Sequence, residues 1–214
     1  MNYSFNLAGG ILPVIKDFNI QKNTEVKSGK VVFIDENGIV NTEKRGTLLG
    51  VCGEDHSGKC DLLNARANGK WIRVDITKDA VYSMDCPVFE AVSEGSETTF
   101  ICAKAQADAK VKGALVLIEK GADSTNSDYI GKERKIVSAS VNGDNTVITL
   151  EEGSKTFAGD KYAFVPMAGF KGYVNETDNG FCAVKKADAP QMTVVCTDCN
   201  TLKVMCTLDG KLFD

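Results

Sequence analysis

The chain has 214 residues, 43% of them hydrophobic and 25% charged, which is typical of a folded globular protein and excludes wholesale disorder. Its formal net charge is −4, with Lys and Arg scattered among Asp and Glu. Nucleic acid is therefore not an expected partner, because a phosphate backbone requires a concentrated basic surface.

The N-terminal segment lacks a basic stretch before its apolar residues, and no later apolar run reaches the roughly 20 residues of a membrane-spanning helix. We therefore expect no signal peptide and no membrane partner, and a soluble chain in the cytoplasm. The residues through about Ile15 precede the regular strand pattern and are predicted to form an extended arm that docks on a neighbouring molecule.

Four pairs of short apolar segments are predicted to form β-hairpins, because turn-forming residues separate them. The first pair flanks Asn37-Gly38, which readily adopts the positive φ angles of a tight turn. The other pairs flank residues 142–145, 178–180 and 197–200. Further strands are predicted from length, β-branched side chains and flanking turns at residues 47–51, 71–76, 87–92, 99–102 and 114–119.

Helical segments are short, and residues 60–67 and 103–111 are the best candidates. Frequent turns between strands favour an all-β fold, mainly β with one or two short helices: a small β-barrel followed by a second small β-domain. The polar stretch 121–128 predicts a linker at 123–131 between domains 1–122 and 132–214. A long surface loop inside one domain is the alternative.

Residues 53–59, with the sequence GEDHSGK, have the glycine and lysine spacing of a phosphate-binding loop. Cys60 follows where Ser or Thr must hold magnesium, and Glu54 and Asp55 place negative charge where phosphates would lie. The segment is therefore predicted to be a polar loop and not a nucleotide site.

The eight cysteines are expected to pack as small hydrophobic thiols, since no secretion signal is predicted, although disulfide pairing remains an alternative. Zinc ligation is a second alternative, but a zinc knuckle usually needs two closely spaced pairs and the chain has one CxxC. The candidate ligands are Cys52 with His56 and Cys60, and Cys196 with Cys199. His56 is predicted to be solvated, so we expect no metal, no cofactor and no enzymatic activity.

Trp71 is the most informative aromatic residue. In a strand over residues 71–76, Trp71, Arg73 and Asp75 share one face, and the apolar Ile72, Val74 and Ile76 share the other. Trp71 is therefore predicted to be partly exposed, either at the rim of its domain or in contact with a partner.

Three stretches follow one another in the first half of the chain: KSGKVVFIDENGIV at residues 27–40, GTLLGVCGED at 46–55 and GKWIRVDI at 69–76. This order resembles the head decoration, or capsid cement, proteins of tailed bacteriophages. In those proteins a glycine and an apolar strand lead to a Leu-Gly-Val strand and then to a valine-rich strand that closes a small β-barrel. The resemblance covers roughly residues 20–120, and the second β-rich segment at 132–214 departs from the family pattern.

The resemblance implies a non-enzymatic structural protein of a virion or prophage that binds and stabilises a capsid shell. The implied partners are the major capsid protein and other copies of the chain, in a homo-oligomer with a trimer favoured. The implied location is the bacterial cytoplasm during assembly and the virion afterwards. The arm and Trp71 supply the implied contact residues: Tyr3, Phe5, Leu7, Ile11 and Trp71.

Two other classes of function stay open. A phage or cell-surface binding module, such as a fibre or carbohydrate-recognition protein, would use the C-terminal half, and an exposed patch of Phe164, Phe170 and Tyr173 would favour it. A small β-barrel hydrolase or metal enzyme would need a concave pocket that gathers His56 or several carboxylates.

Overall fold

A computed structural model of the protein describes residues 4–5, 13–21, 23–57, 71–175, 180–186 and 188–213. These residues form strands and turns, with one short 3₁₀ helix at Asn126–Tyr129, so the all-β prediction is confirmed. In the same residues no helix has the length and apolar character needed to cross a membrane.

The strands are numbered in chain order. They are β1 (Ser4–Phe5), β2 (Ile15–Asn19), β3 (Val31–Ile34), β4 (Val40–Asn41), β5 (Thr47–Cys52), β6 (Trp71–Asp75), β7 (Val81–Asp85), β8 (Val88–Glu90), β9 (Thr99–Ala103), β10 (Gly113–Glu119), β11 (Glu133–Asn142), β12 (Asn145–Leu150), β13 (Lys161–Pro166), β14 (Lys171–Val174), β15 (Phe181–Cys182), β16 (Gln191–Asp198) and β17 (Lys203–Leu208).

Antiparallel pairing arranges the strands in three sheets. Two have six strands, in the orders β1-β7-β17-β16-β14-β15 and β8-β13-β10-β11-β12-β9, and the third has five, in the order β2-β6-β5-β3-β4. The four predicted hairpins are present as β3–β4, β11–β12, β14–β15 and β16–β17. The sequence does not predict β1, β2, β7 or β13 as strands.

The five-stranded sheet closes on itself as a small barrel. Ile20, just after β2, forms a parallel bridge with Val40 of β4, and the amide of Gln21 donates to the carbonyl of Val40 at 3.1 Å. The two edge strands of the sheet therefore meet, as the predicted small β-barrel requires. Apolar side chains fill the interior: Ile20, Val26, Val32, Val40, Leu49, Cys52, Ile72, Val74 and Ile76.

Strands β3 and β5 are buried on both faces. Val32 and Leu49 point into the barrel, whereas Phe33 and Leu48 belong to the larger core shared with the six-stranded sheets. Gly50 lies in β5 where β6 approaches closely: a Cβ atom there would lie 2.1 Å from the carbonyl oxygen of Asp75. The glycine is therefore required by backbone contact, although its φ angle is ordinary.

The sheet pairing crosses the predicted domain boundary. Strand β10, before residues 123–131, pairs with both β11 and β13, which follow them. Strands β8 and β9 also pair with strands of the second half, β13 and β12 respectively. The predicted division into domains 1–122 and 132–214 therefore cuts through one sheet and one core, and residues 123–131 form a loop within it.

The loop is held by the buried carboxylate of Asp160. Its Oδ1 accepts the amide of Gly121 at 2.8 Å, and its Oδ2 accepts the side-chain amide of Asn126 and the backbone amide of Phe157, both at 3.1 Å. Asp160 and Asn126 are both buried. The polar composition that indicated a linker therefore reflects buried hydrogen bonds to a residue more than 30 positions away.

Two local predictions need correction. Residues 104–111 form turns after β9 and no helix, because their backbone bonds to the β11–β12 hairpin: the amide of Lys104 donates to the carbonyl of Asp144, and the carbonyl of Ala107 accepts the hydroxyl of Thr146. The N-terminal arm is partly absorbed into the fold, since Ser4–Phe5 pairs with β7 and Ile15 begins β2. The other candidate helix, at residues 60–67, lies outside the described residues.

The close approach at Gly50 predicts a strong effect of a single methyl group. Gly50→Ala should lower the free energy of unfolding by about 2–3 kcal/mol, because overpacking against a backbone carbonyl cannot be relieved by side-chain rotation. Gly53→Ala is the matched control, since its Cβ would have one neighbour at an ordinary 3.9 Å. Urea denaturation measures the free energy of unfolding of both variants. Equal losses of stability in Gly50→Ala and Gly53→Ala would contradict the packing argument.

The hydrogen bonds of Asp160 predict that its amide variant exposes the 121–131 loop. Asp160→Asn replaces an acceptor of three N–H groups by a group that must donate, so about 2–3 kcal/mol of stability should be lost. Trypsin should then cleave faster after Lys120 and Lys132, which flank the loop. The control variant Asp123→Asn, which changes an exposed carboxylate of the same loop, should be cleaved by trypsin at the wild-type rate. Equal rates for the two variants would show that Asp160 does not hold the loop.

Candidate functional site

Trp71 lies at the start of β6, with its side chain on the outside of the barrel. Ile72 and Val74 point inward and are fully buried, whereas Trp71 remains 46% exposed, as the period-two pattern predicts. Asp75 departs from the pattern and is buried, because its Oδ1 accepts the amide of Thr77 at 2.9 Å and also its hydroxyl group.

Strand β2 runs antiparallel to β6 along this outer face. Asn19 is opposite Trp71, Asp17 is opposite Arg73, and Ile15 is opposite Asp75. Arg73 Nε lies 3.6 Å from Asp17 Oδ1 in a partly exposed ion pair. The face therefore has a charged centre, with the exposed side chains of Trp71 and Ile15 at its two ends.

The chain before β2 is fixed to the segment that follows β6. The amide of Val14 donates to Thr77 Oγ1 at 2.6 Å, and the carbonyl of Val14 accepts the amide of Ile76 at 2.9 Å. These bonds define where the N-terminal segment leaves the barrel, and they hold Val14 with its side chain exposed.

The C-terminal residues reach the same region. Lys211 is buried and its ammonium group donates to the carbonyl of Thr77. The amide of Leu212 donates to the carbonyl of Leu48 at 2.8 Å. The ring of Phe213 lies 6.5 Å from that of Phe18 on β2, centroid to centroid.

Five exposed apolar side chains thus lie on β2 or on segments that contact it. We call them the β2 patch: Val14, Ile15, Trp71, Leu212 and Phe213. Lys16 lies over the Phe213 ring, with Nζ 5.6 Å from its centroid, so charged groups border the apolar residues. Exposed aromatic and aliphatic residues with a charged border are typical of protein interaction surfaces.

The structure brings together only part of the predicted contact set. Phe5 lies on β1 opposite Tyr82, in a six-stranded sheet, whereas Trp71 belongs to the barrel sheet. Tyr3, Leu7 and Ile11 lie outside the described residues. Sequence reasoning missed Leu212 and Phe213, whose only local signal is a Leu-Phe pair after the Asp209-Gly210 turn.

His56 has a structural position, which corrects the prediction of a solvated ring. It is buried, its backbone pairs with that of Val26, and its Nδ1 lies 3.0 Å from the carbonyl oxygen of Thr24, to which it donates. The thiol of Cys52 donates to the carbonyl of Glu54 at 2.9 Å, and burial raises its pKa to about 11. Among the described residues, no group of three or more His, Cys, Asp and Glu side chains is arranged to hold a metal ion. Cys60 lies outside the described residues.

The segment after β5 does not have the setting of a nucleotide-binding loop. Asp55 Oδ1 accepts the amide of Ser28 at 2.9 Å, so the described part of the segment packs against residues 24–28. Strand β5 pairs antiparallel with β6, the next strand among the described residues, whereas a nucleotide-binding unit joins parallel strands through a helix.

The aromatic residues of the C-terminal half are largely internal. Phe164 is fully buried and stacks on Phe89, with ring centroids 5.1 Å apart. Phe170 is also buried and meets Phe164 edge-on at 5.4 Å. Of the three residues considered for carbohydrate recognition, only Tyr173 is partly exposed, so they form no exposed patch.

Two of the surface clefts formed by the described residues have volumes of about 410 and 440 Å³. The first lies beside β3 and is lined by three lysines and one carboxylate, that of Glu25. The second contains Cys86, Cys182 and Lys186, with the single carboxylate of Asp85. His56 lines neither cleft.

Comparison of the chain with protein-family models, curated proteins and solved structures finds no match. The proposals below therefore depend on the geometry of the chain itself and on the resemblance described above.

The turn that carries the C-terminal residues is held by Asp209. Its carboxylate accepts hydrogen bonds from Gln191 Nε2 at 2.8 Å, Thr193 Oγ1 at 2.8 Å and Lys171 Nζ at 3.1 Å. Partial burial raises the pKa of Asp209, but these hydrogen bonds outweigh it, so the pKa lies below the ordinary value. Ionised Asp209 therefore stabilises the fold beside the β2 patch.

This shift predicts a pH-dependent effect of Asp209→Asn. A carboxyl group whose pKa is lowered by folding contributes stability above its unfolded pKa of about 4, and that stability disappears as pH falls through the folded pKa. The variant should be less stable than wild type by about 1–2 kcal/mol at pH 7, and the difference should narrow below about pH 4. Urea denaturation across this range measures it; a constant difference would contradict the assignment.

Proposed function

We propose that the chain is a non-enzymatic structural protein of a phage virion or prophage, which binds a capsid shell and stabilises it as a decoration protein. The observation that carries the proposal is the β2 patch, a set of exposed apolar residues on β2 and on the segments that contact it. The order of the motifs in residues 27–76 supports the same class of protein.

The patch has features that a shell contact needs. Trp71 and Phe213 offer large apolar surfaces, and residues of this kind dominate the binding energy of protein interfaces. Trp71 lies on a strand of the closed barrel, so it loses little conformational entropy when a partner binds. The Asp17–Arg73 pair supplies polar groups that fix the orientation of the partner.

The proposed partners are the major capsid protein and other copies of this chain. Assembly would take place in the bacterial cytoplasm and the protein would then remain on the virion. The cysteines support this location: the described ones are thiols, and Cys52, Cys86, Cys102 and Cys206 are buried, which suits a reducing compartment.

The proposal predicts binding to expanded heads of the phage whose genome encodes the chain. Purified protein should co-sediment with these heads, and Trp71→Ala or Phe213→Ala should weaken binding by at least about tenfold, because each removes a large apolar contact. Val195→Ala is the control, since Val195 is equally exposed at 46% but lies on β16, outside the patch. Protein that stays in the supernatant, or three variants that bind like wild type, would refute the proposal.

A further inference from the structure

Strand β11 has a long edge with no pairing partner among the described residues. The strand is ten residues long, but β10 pairs only with Glu133, Arg134 and Lys135. From Ile136 to Asn142 the strand pairs with β12 on one side, and no described backbone group bonds to its other side. Val137, on this stretch, is 65% exposed.

The hairpin register shows which backbone groups face outward. Asn142 and Asn145 close a two-residue turn at Gly143-Asp144, so their peptide groups bond to each other. Because bonding alternates along an antiparallel pair, Ser140 also bonds to β12. The N–H and C=O groups of Ala139 and Val141 therefore point away from β12, towards the uncovered side.

This edge lacks the charges and the proline that usually prevent strands from pairing with other chains. Residues 136–142, with the sequence IVSASVN, contain no charge and no proline. A bulge lies between Ile136 and Ser138, at one end of the stretch, and leaves the remaining residues regular. The opposite edge of the same sheet differs, because the amide of Val92 donates to the carbonyl of Ile101 and covers β9.

The sequence of the edge is self-complementary. Residues 137–141 read Val-Ser-Ala-Ser-Val in both directions. In an antiparallel pair of two copies centred on Ala139, Val137 of each copy therefore meets Val141 of the other, and serine meets serine.

We propose that two copies of the chain associate edge to edge through β11, with a two-fold axis at Ala139, so that the two β9-β12-β11 segments form one continuous sheet. The uncovered edge, its uncharged sequence and its self-complementary register all support this partner. An interface of five to seven residues per chain is small, so the pair should be weak, with a Kd on the order of 10–100 µM. The proposal does not depend on capsid binding.

Sedimentation equilibrium between about 10 and 500 µM tests the proposal, because this range spans the expected Kd. Wild-type protein should approach twice the monomer mass of 23.0 kDa at the highest concentration. The double variant Val137→Lys/Val141→Lys places lysines opposite each other at two points and should weaken association by at least about tenfold. The double variant Val137→Lys/Val141→Glu places opposite charges together in the proposed register and should restore it.

Val195→Lys is the matched control, because Val195 is exposed on β16, which belongs to the other six-stranded sheet, so the variant should associate like wild type. Circular dichroism of each variant establishes that the fold is intact. A monomer at every concentration, a three-copy assembly, or a dimer that tolerates the two lysines would overturn the proposal. So would a Lys/Glu variant that associates no better than the Lys/Lys variant. Binding to phage heads is measured in a separate experiment, and its result does not affect the test of edge-to-edge association.

Discussion

The fold depends on two strands that belong to two cores at once. In β3 and β5, neighbouring residues such as Val31 and Val32, or Leu48 and Leu49, point into different cores, and all of them are buried. Burial of side chains of this size contributes about 1.5–3 kcal/mol each. The barrel and the six-stranded sheets therefore stabilise each other through a shared wall, and neither core is complete without it.

Because both cores depend on β3 and β5, a small change of side chain in these strands is expected to lower the stability of the whole fold. Both strands are short apolar runs without the alternation of a half-buried strand, as expected when both faces are covered. Gly50 is the position where the wall comes too close to β6 for any side chain. The Leu-Gly-Val motif thus has a local packing reason, independent of any family resemblance.

Buried polar groups extend the core into the loops. Arg134 is buried and donates to backbone carbonyls, among them those of Glu151 and Ser154, both at 2.9 Å. Asp160 accepts backbone and side-chain amides in a corresponding way. These two groups satisfy loop backbone that would otherwise be desolvated without partners, so the loops at 121–131 and 151–160 are as much part of the fold as the strands.

Local sequence predicted the hairpins because their signals are local: Asn37-Gly38 and residues 142–145 favour tight turns whatever surrounds them. It did not predict β2, whose mainly exposed residues IKDFN lack apolar alternation. It also placed a linker at 123–131, since the partner of Asn126 is Asp160, 34 residues later. Pairing over such distances is decided by tertiary packing, which a local window does not contain.

The candidate surfaces likewise combine features that local sequence predicts with features that only tertiary packing decides. The exposure of Trp71 was predictable from the period of two in β6, whereas Leu212 and Phe213 join the β2 patch only because Lys211 bonds to Thr77. The uncovered edge of β11 likewise depends on sheet order, since a strand with this sequence would be covered if β10 extended far enough at its N-terminal end to pair with residues 136–142.

The two surfaces lie on different sheets and share no residue. Association through β11 therefore leaves the β2 patch uncovered, and a pair of chains carries two patches. If both patches contact one shell, the second contact forms within an existing complex, so its effective concentration can reach the millimolar range when the geometry allows. A weak edge-to-edge pair and a modest shell contact would thus reinforce each other, and tight binding to a repetitive lattice would need no large interface in either place.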